Sequence, residues 1–204
     1  MKKILCYGDS NTYGYSPYDG SRFDENIRWT GLIGKKLEGV AEVIEEGGNN
    51  RTGFVNNPDG FMFSAQRHFP KTISKIKDLD ILVLAIGIND LQFQFDTSFK
   101  TVEKGLETLI TEGKKYAKNI ILVLPPELNE DVLKGNFRVQ FDETSISKSK
   151  KVGREYRKLA NVYGCKIFDI NDFVHPSSVD GLHYDENGHK LIAENLYKVI
   201  EPYL

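Results

Sequence analysis

Two short runs in this chain, Ile81-Leu82-Val83-Leu84-Ala85-Ile86 and Ile120-Ile121-Leu122-Val123-Leu124, contain no polar residue. A strand with one wet face alternates apolar and polar side chains. Runs this uniform therefore predict strands covered on both sides, as in a parallel sheet between two layers of helices. Three further runs with strand character stand at residues 4–7, 41–44 and 166–169, and helical patterns fill the gaps between runs. Trp29, Leu32, Ile33 and Leu37 share a helical face, as do Phe99, Val102, Leu106, Leu109 and Ile110. Val152, Tyr156, Leu159, Ala160 and Tyr163 mark a helix over 149–163. Leu191, Ile192, Leu196, Val199 and Ile200 mark a last one, with Asp185 placed to cap it. The alternation predicts an α/β fold, a three-layer α/β/α sandwich around a five-stranded parallel sheet.

No repeat, low-complexity tract or Gly/Ser linker divides the 204 residues, so a single domain is expected over 1–204. Two stretches read as loop: 49–59, rich in Asn, Gly and Pro, and the longer 125–141, which is expected to expose Phe137 and Phe141 over a pocket or at a subunit contact. With 27 basic against 29 acidic residues, the chain lacks the electrostatic footprint of a nucleic-acid or anionic-membrane binder. Cys6 and Cys165 are too few for a disulfide framework and lack metal-site spacing, so both are expected as buried thiols. The apolar run behind Met1-Lys2-Lys3 ends at Gly8, too short for a signal peptide, which makes a cytoplasmic location the expectation.

Four of the five strand carboxyl ends lead to polar residues. Gly8-Asp9-Ser10-Asn11 follows the first, Gly47-Gly48-Asn49-Asn50 the second and Gly87-Ile88-Asn89-Asp90 the third; Asp180-Gly181-Leu182-His183 comes after the fifth. Open parallel sheets bind ligands at that edge, so four clusters converge on one crevice. A serine held at a strand end becomes a nucleophile only if a base takes its proton, and histidine is the usual base. Among His68, His175, His183 and His189, His175 precedes a proline and His189 lies in the first turns of the final helix, whereas His183 follows a carboxylate by three residues in a loop at the active edge. Asp180 at that spacing can accept from the imidazole Nδ1–H and leave Nε2 facing Ser10. An Asp-x-x-His pair alone is also what a turn aspartate beside a surface histidine looks like; the strand-end serine gives it meaning.

Acyl transfer further needs donors aimed at a developing oxyanion. The candidates are the Ser10 N–H, the Asn89 side-chain amide and a backbone N–H near Asn50, although Asn89 alone also suits a turn. Asp9 and Asp90 read as carboxylates that tie down their own turns, and neither has a metal-ligand partner at useful spacing. Tyr15, Trp29 and Phe93 are the aromatic candidates for lining a substrate pocket. Arg51, beside Asn50, suits either an anionic group of the substrate or an ion pair with Glu45 or Glu46, the second being the plainer reading.

Taken together, these motifs resemble those of SGNH/GDSL-type hydrolases, in order and over nearly the whole chain. Arg28-Trp29-Thr30-Gly31, Val43-Ile44-Glu45-Glu46-Gly47, Arg51-Thr52 and Val179-Asp180-Gly181-Leu182-His183 are similar to the arylesterase and perhydrolase branch. The resemblance implies a flavodoxin-like sheet of order 2-1-3-4-5, with Ser10 as nucleophile, His183 as base, Asp180 as its orienting partner and Asn89 as oxyanion donor. At the second oxyanion position, where the family usually has glycine, this chain has Asn50.

The function expected is that of a serine esterase acting on small acyl or aryl esters through an acyl-enzyme, with no metal or other cofactor. Its partner is a small-molecule ester rather than nucleic acid or membrane, and self-association is compatible with the sequence. Two other readings share the motifs: a carbohydrate O-acetyl esterase, and a binding protein that kept the fold without catalysis.

Overall fold

The computed structural model describes residues 1–57 and 64–204; the last two positions of the predicted 49–59 loop lie outside them. Five strands, β1 (Lys2–Gly8), β2 (Ala41–Gly47), β3 (Leu79–Ala85), β4 (Ala117–Val123) and β5 (Lys166–Phe168), form one sheet of order β2-β1-β3-β4-β5. Every pairing is parallel. The described helices are α1 (Ser10–Tyr13), α2 (Trp29–Lys36), α3 (Ala65–Ile73), α4 (Phe99–Gly113), α5 (Glu143–Tyr163) and α6 (Glu186–Ile200). Among the described residues no helix is long and apolar enough to cross a membrane.

Successive strand residues feed opposite faces of the sheet, and two cores result. Leu5, Tyr7, Leu82, Leu84 and Leu122 pack against Phe69 of α3, Leu106 and Leu109 of α4, and Val152 and Tyr156 of α5. Ile4, Cys6, Ile81, Val83, Ile121 and Phe168 pack against Trp29 and Ile33 of α2 and Ile192, Leu196 and Ile200 of α6. This is why the β3 and β4 runs are apolar throughout. β2, at the sheet edge, is only partly buried and accommodates Glu42, Glu45 and Glu46. Of the two thiols, Cys6 is buried as expected, whereas Cys165 at the mouth of β5 is partly exposed.

The helix ends carry sequence-readable caps. Ser98 accepts from Thr101 N–H at 3.1 Å to start α4, and Asp185 accepts from Gly188 N–H at 2.7 Å to start α6, as predicted. α5 begins six residues before the predicted 149, because Asp142 and Ser145 form a reciprocal capping box ahead of two largely polar turns that the apolar pattern does not mark. The 125–141 stretch is also more ordered than its composition suggests. Single-turn 3-10 helices occupy Glu130–Leu133 and Asn136–Val139, and the stretch folds back on the sheet. Phe141 is consequently fully buried with Leu128 and Val132 in the first core, contrary to the expected exposure, while Phe137 packs at its margin.

One histidine is a structural member of the second core. His189 is completely buried in α6; its Nδ1 accepts from the Trp29 N–H at 3.3 Å, where α2 begins, and the Phe23 ring stands edge-on with centroids 5.3 Å apart. Burial, aided by nearby His183, pushes its pKa down to about 3. A histidine whose folded pKa lies below its unfolded value contributes stability that is complete above the unfolded pKa and is lost as pH falls toward the folded one. Urea unfolding of the wild type and of His189→Gln from pH 8 to pH 3 should therefore give a stability difference that moves against the wild type as pH drops through roughly 6.5. Proton uptake on unfolding should fall by up to about one in the variant. A difference independent of pH would contradict the buried neutral assignment.

Candidate active site

β1 ends at Gly8, and its neighbours across the sheet are Gly47 and Ala85. A methyl group on Gly8 would overlap Thr12 Oγ1 and the Ala85 carbonyl; one on Gly47 would overlap the backbone of Tyr13. Those two bare positions let the α1 turn sit directly on the strand ends. Asp9 caps that turn by accepting from Asn11 N–H at 3.0 Å, and Gly14 closes it in the left-handed conformation. Ser10 is thus the first residue of a helical turn, where the backbone N–H has no intrahelical acceptor.

His183 reaches Ser10 from the opposite end of the chain. Its Nε2 lies 2.9 Å from Ser10 Oγ and its Nδ1 lies 2.7 Å from Asp180 Oδ2. The other Asp180 oxygen accepts from the Leu182 and His183 N–H groups, each at 2.9 Å, so the carboxylate is held by the tight turn it orients. A carboxylate beside Nδ1 requires the proton there, which leaves the Nε2 lone pair to accept from the serine hydroxyl. The turn is locked in turn by Ser177 N–H donating to the His183 carbonyl at 2.7 Å and by Gly181, whose φ of +69° no side chain adopts comfortably. All three residues are buried. The Tyr15 and Phe137 rings pack on the imidazole at centroid distances of 4.3 and 5.1 Å. Hydrogen bonds screened from water this way are electrostatically stronger.

The loop after β2 is pinned against the end of β3 by two buried charged groups. Asp90 accepts from the N–H groups of Gly53, Phe54 and Val55 at 2.6, 2.7 and 2.8 Å. Burial raises its pKa to about 6, opposed by those same three donors. Arg51 donates to the Gly8 carbonyl at 2.8 Å and stacks 4.5 Å over the Tyr7 ring, so it anchors the loop to β1 rather than pairing with Glu45 or Glu46 side chains. Glu45 is instead held by Arg28 at 2.6 Å and Arg22 at 3.0 Å. Directly before the Arg51 anchor, Asn50 has a φ of +55°. That left-handed region is glycine's, and asparagine tolerates it better than most residues, so the backbone course survives at this position without glycine. Asn89 donates through Nδ2 to the Arg51 carbonyl at 3.1 Å, which points its amide nitrogen toward the same loop.

A cavity of about 170 Å³ opens between these parts, lined by Ser10, Tyr15, Asn49, Asn50, Asn89, Phe137, Gln140, Leu182 and His183. Of the residues named from sequence, Ser10, Asn50, Asn89, His183 and Tyr15 meet here, with Asp180 directly behind the imidazole. Trp29 does not. Its indole is buried in the core of the other sheet face and donates to the Asn11 carbonyl at 3.0 Å, supporting the serine turn from behind. Phe93 also stays out: its ring is half-exposed, and its backbone N–H donates to the Gln140 carbonyl at 3.0 Å. Asn49 lines the cavity with the rest of its strand-end cluster, whereas Gln140 was not anticipated there. It sits in an irregular loop with no periodicity to place a side chain, and the only signal was the unusual length of 125–141.

The arrangement has the parts acyl transfer requires: a hydroxyl on a base, a carboxylate behind the base, and several N–H donors around one small cavity. Comparison with known proteins agrees. Residues 6–191 match the model of the GDSL-like Lipase/Acylhydrolase family. No curated protein matches the chain. Among solved structures, the inhibitor-bound aryl esterase of M. smegmatis is similar at 28% identity, with a TM-score of 0.91 and 100% of each chain covered. A carbohydrate acetylesterase family member from Sinorhizobium meliloti is similar at 28% identity, with a TM-score of 0.92, 100% of this chain and 99% of that one covered. Fold, order of motifs and family match coincide, and the chain belongs to the GDSL-like lipase/acylhydrolase family of esterases.

Proposed function

We propose that the protein hydrolyses small carboxylic esters through an acyl-enzyme on Ser10. The observation that carries this reading is the unbroken hydrogen-bond chain from Ser10 Oγ to His183 (2.9 Å) to Asp180 (2.7 Å). Ser10 Oγ attacks the ester carbonyl carbon while its proton passes to His183 Nε2, and Asp180 stabilises the imidazolium so formed. The negative charge gathering on the carbonyl oxygen is met by the backbone N–H of Ser10, that of Asn50 and the Nδ2 of Asn89. As the tetrahedral intermediate collapses, the alkoxide leaves with the proton from His183. Water then gives its proton to the same nitrogen, attacks the acyl carbon, and the acid departs as Ser10 recovers its hydrogen.

Cavity size supports a short acyl group, since about 170 Å³ is well below what drug-sized ligands occupy. Phe137 forms one wall, against His183 and Tyr15. A second reading, removal of acetyl groups from carbohydrates, is favoured by the polar rim of Asn49, Asn50 and Gln140 and by similarity to the S. meliloti acetylesterase family member. The two readings share every chemical step and differ in the alcohol.

Ser10→Ala should lower kcat on an aryl acetate by at least ~10³-fold while leaving the thermal midpoint near that of the wild type. A fluorophosphonate should label the wild type at Ser10 alone. Turnover retained in the variant, or no labelling of folded wild-type protein, would sink the assignment, the latter in favour of a non-catalytic binder. Phe137→Ala should raise the ratio of kcat/KM for butyrate over acetate esters by at least ~10-fold, the low end of what one methylene accommodated in an apolar slot is worth. An unchanged ratio would remove Phe137 from the acyl wall. Rates on acetylated sugars beside aryl acetates then decide between the two alcohols.

A further inference from the structure

A buried amide outside the proposed reaction steps ties two of the oxyanion donors together. Gln92 is 1% exposed and follows the single 3-10 turn Asn89–Leu91. Its Nε2 lies 2.8 Å from Asn50 Oδ1 and 3.2 Å from Asn89 Oδ1, and its Oε1 accepts from Gln94 Nε2 at 3.0 Å. The orientation of these amides follows from one fixed point. The Arg51 carbonyl can only accept, so the Asn89 atom 3.1 Å from it must be nitrogen. Asn89 Oδ1 therefore faces Gln92, which must offer its NH₂ there, and the two hydrogens of that group match the two carbonyl oxygens of Asn89 and Asn50.

Resting on Ser10 as nucleophile, we propose that Gln92 is a positioning residue for the oxyanion site. Together with the Arg51 carbonyl, it holds the Asn89 amide with nitrogen rather than oxygen toward the cavity, and it clamps the left-handed Asn50 to the end of β3. The two ends of an asparagine amide are nearly the same size, so packing alone does not choose between them; a hydrogen-bond partner must. Without Gln92, the buried Asn89 carbonyl oxygen would lose this donor, the half-buried Asn50 would lose its tie to the β3 end, and a rotated Asn89 would present a repelling oxygen to the oxyanion.

The test is a kinetic cycle on the full chain with an aryl acetate. Gln92→Leu should lower kcat by ~10- to 100-fold with KM within about threefold, less than outright loss of an oxyanion donor. Gln92→Glu, similar in shape but unable to donate when ionised, should be at least as impaired. Asn89→Ala removes one of the two groups through which Gln92 acts, so adding Gln92→Leu to it should cost at least about threefold less than the same change costs in the wild type. If Gln92→Leu does not fold, the same cycle is run with Gln92→Glu. Normal kcat in a folded Gln92 variant, a loss confined to KM, or an equal loss in the Asn89→Ala background would overturn the proposal. Those outcomes leave Ser10 untouched, whereas turnover by Ser10→Ala would remove the reading beneath it.

Discussion

The contact between Ser10 Oγ and His183 Nε2 joins residues 173 positions apart in sequence, and it is 2.9 Å long. Nothing local holds such a bond. It exists because β1 is in the interior of the sheet, because every strand runs the same way, and because the loops leaving the carboxyl ends of β1, β2, β3 and the segment beyond β5 all emerge at one edge. The two apolar cores are in this sense the scaffold of a single hydrogen-bond distance. Sliding any of these strands by one residue would swap its faces and move its loop by more than the bond tolerates.

Around that bond the fold uses buried polar groups as fasteners rather than as reactants. Asp90 gathers three consecutive N–H groups, Arg51 reaches a strand-end carbonyl, and Asp180 accepts from two backbone amides before it touches the imidazole. Each fastener holds loop backbone, which has no sheet ladder to satisfy it, at the place where a fixed geometry matters. The same holds for Asp9, which caps the turn that carries Ser10. The cavity is small for a related reason: Tyr15 and Phe137 close on the imidazole from two loops.

Much of this was legible in the residues. Strands and covering helices follow from periodicity, which depends only on near neighbours, and Asp185 could be named as a cap for the same reason. Asp180 and His183 are three residues apart, so their pairing is almost local; Ser10 and Asn89 mark strand ends. Trp29 and Phe93 were misplaced because a residue near a strand end says nothing about which sheet face its side chain joins. Trp29 went to the core under α6, and Phe93 turned to solvent. Phe141 was expected exposed because the 125–141 stretch lacks periodicity, yet two short 3-10 turns bring it into the core. Gln92 carried no signal at all, since its meaning depends on which way two asparagine amides face.

The central claim is that the serine at the end of β1 carries the acyl group during turnover. Rapid acid quenching during steady-state hydrolysis of an aryl acetate, followed by peptide mass mapping, tests it without any mutation. The account predicts a transient acetyl adduct on the peptide containing Ser10, present while substrate lasts and gone after it is consumed. Turnover with no adduct there at any time, or with the acyl group on another residue, would contradict it.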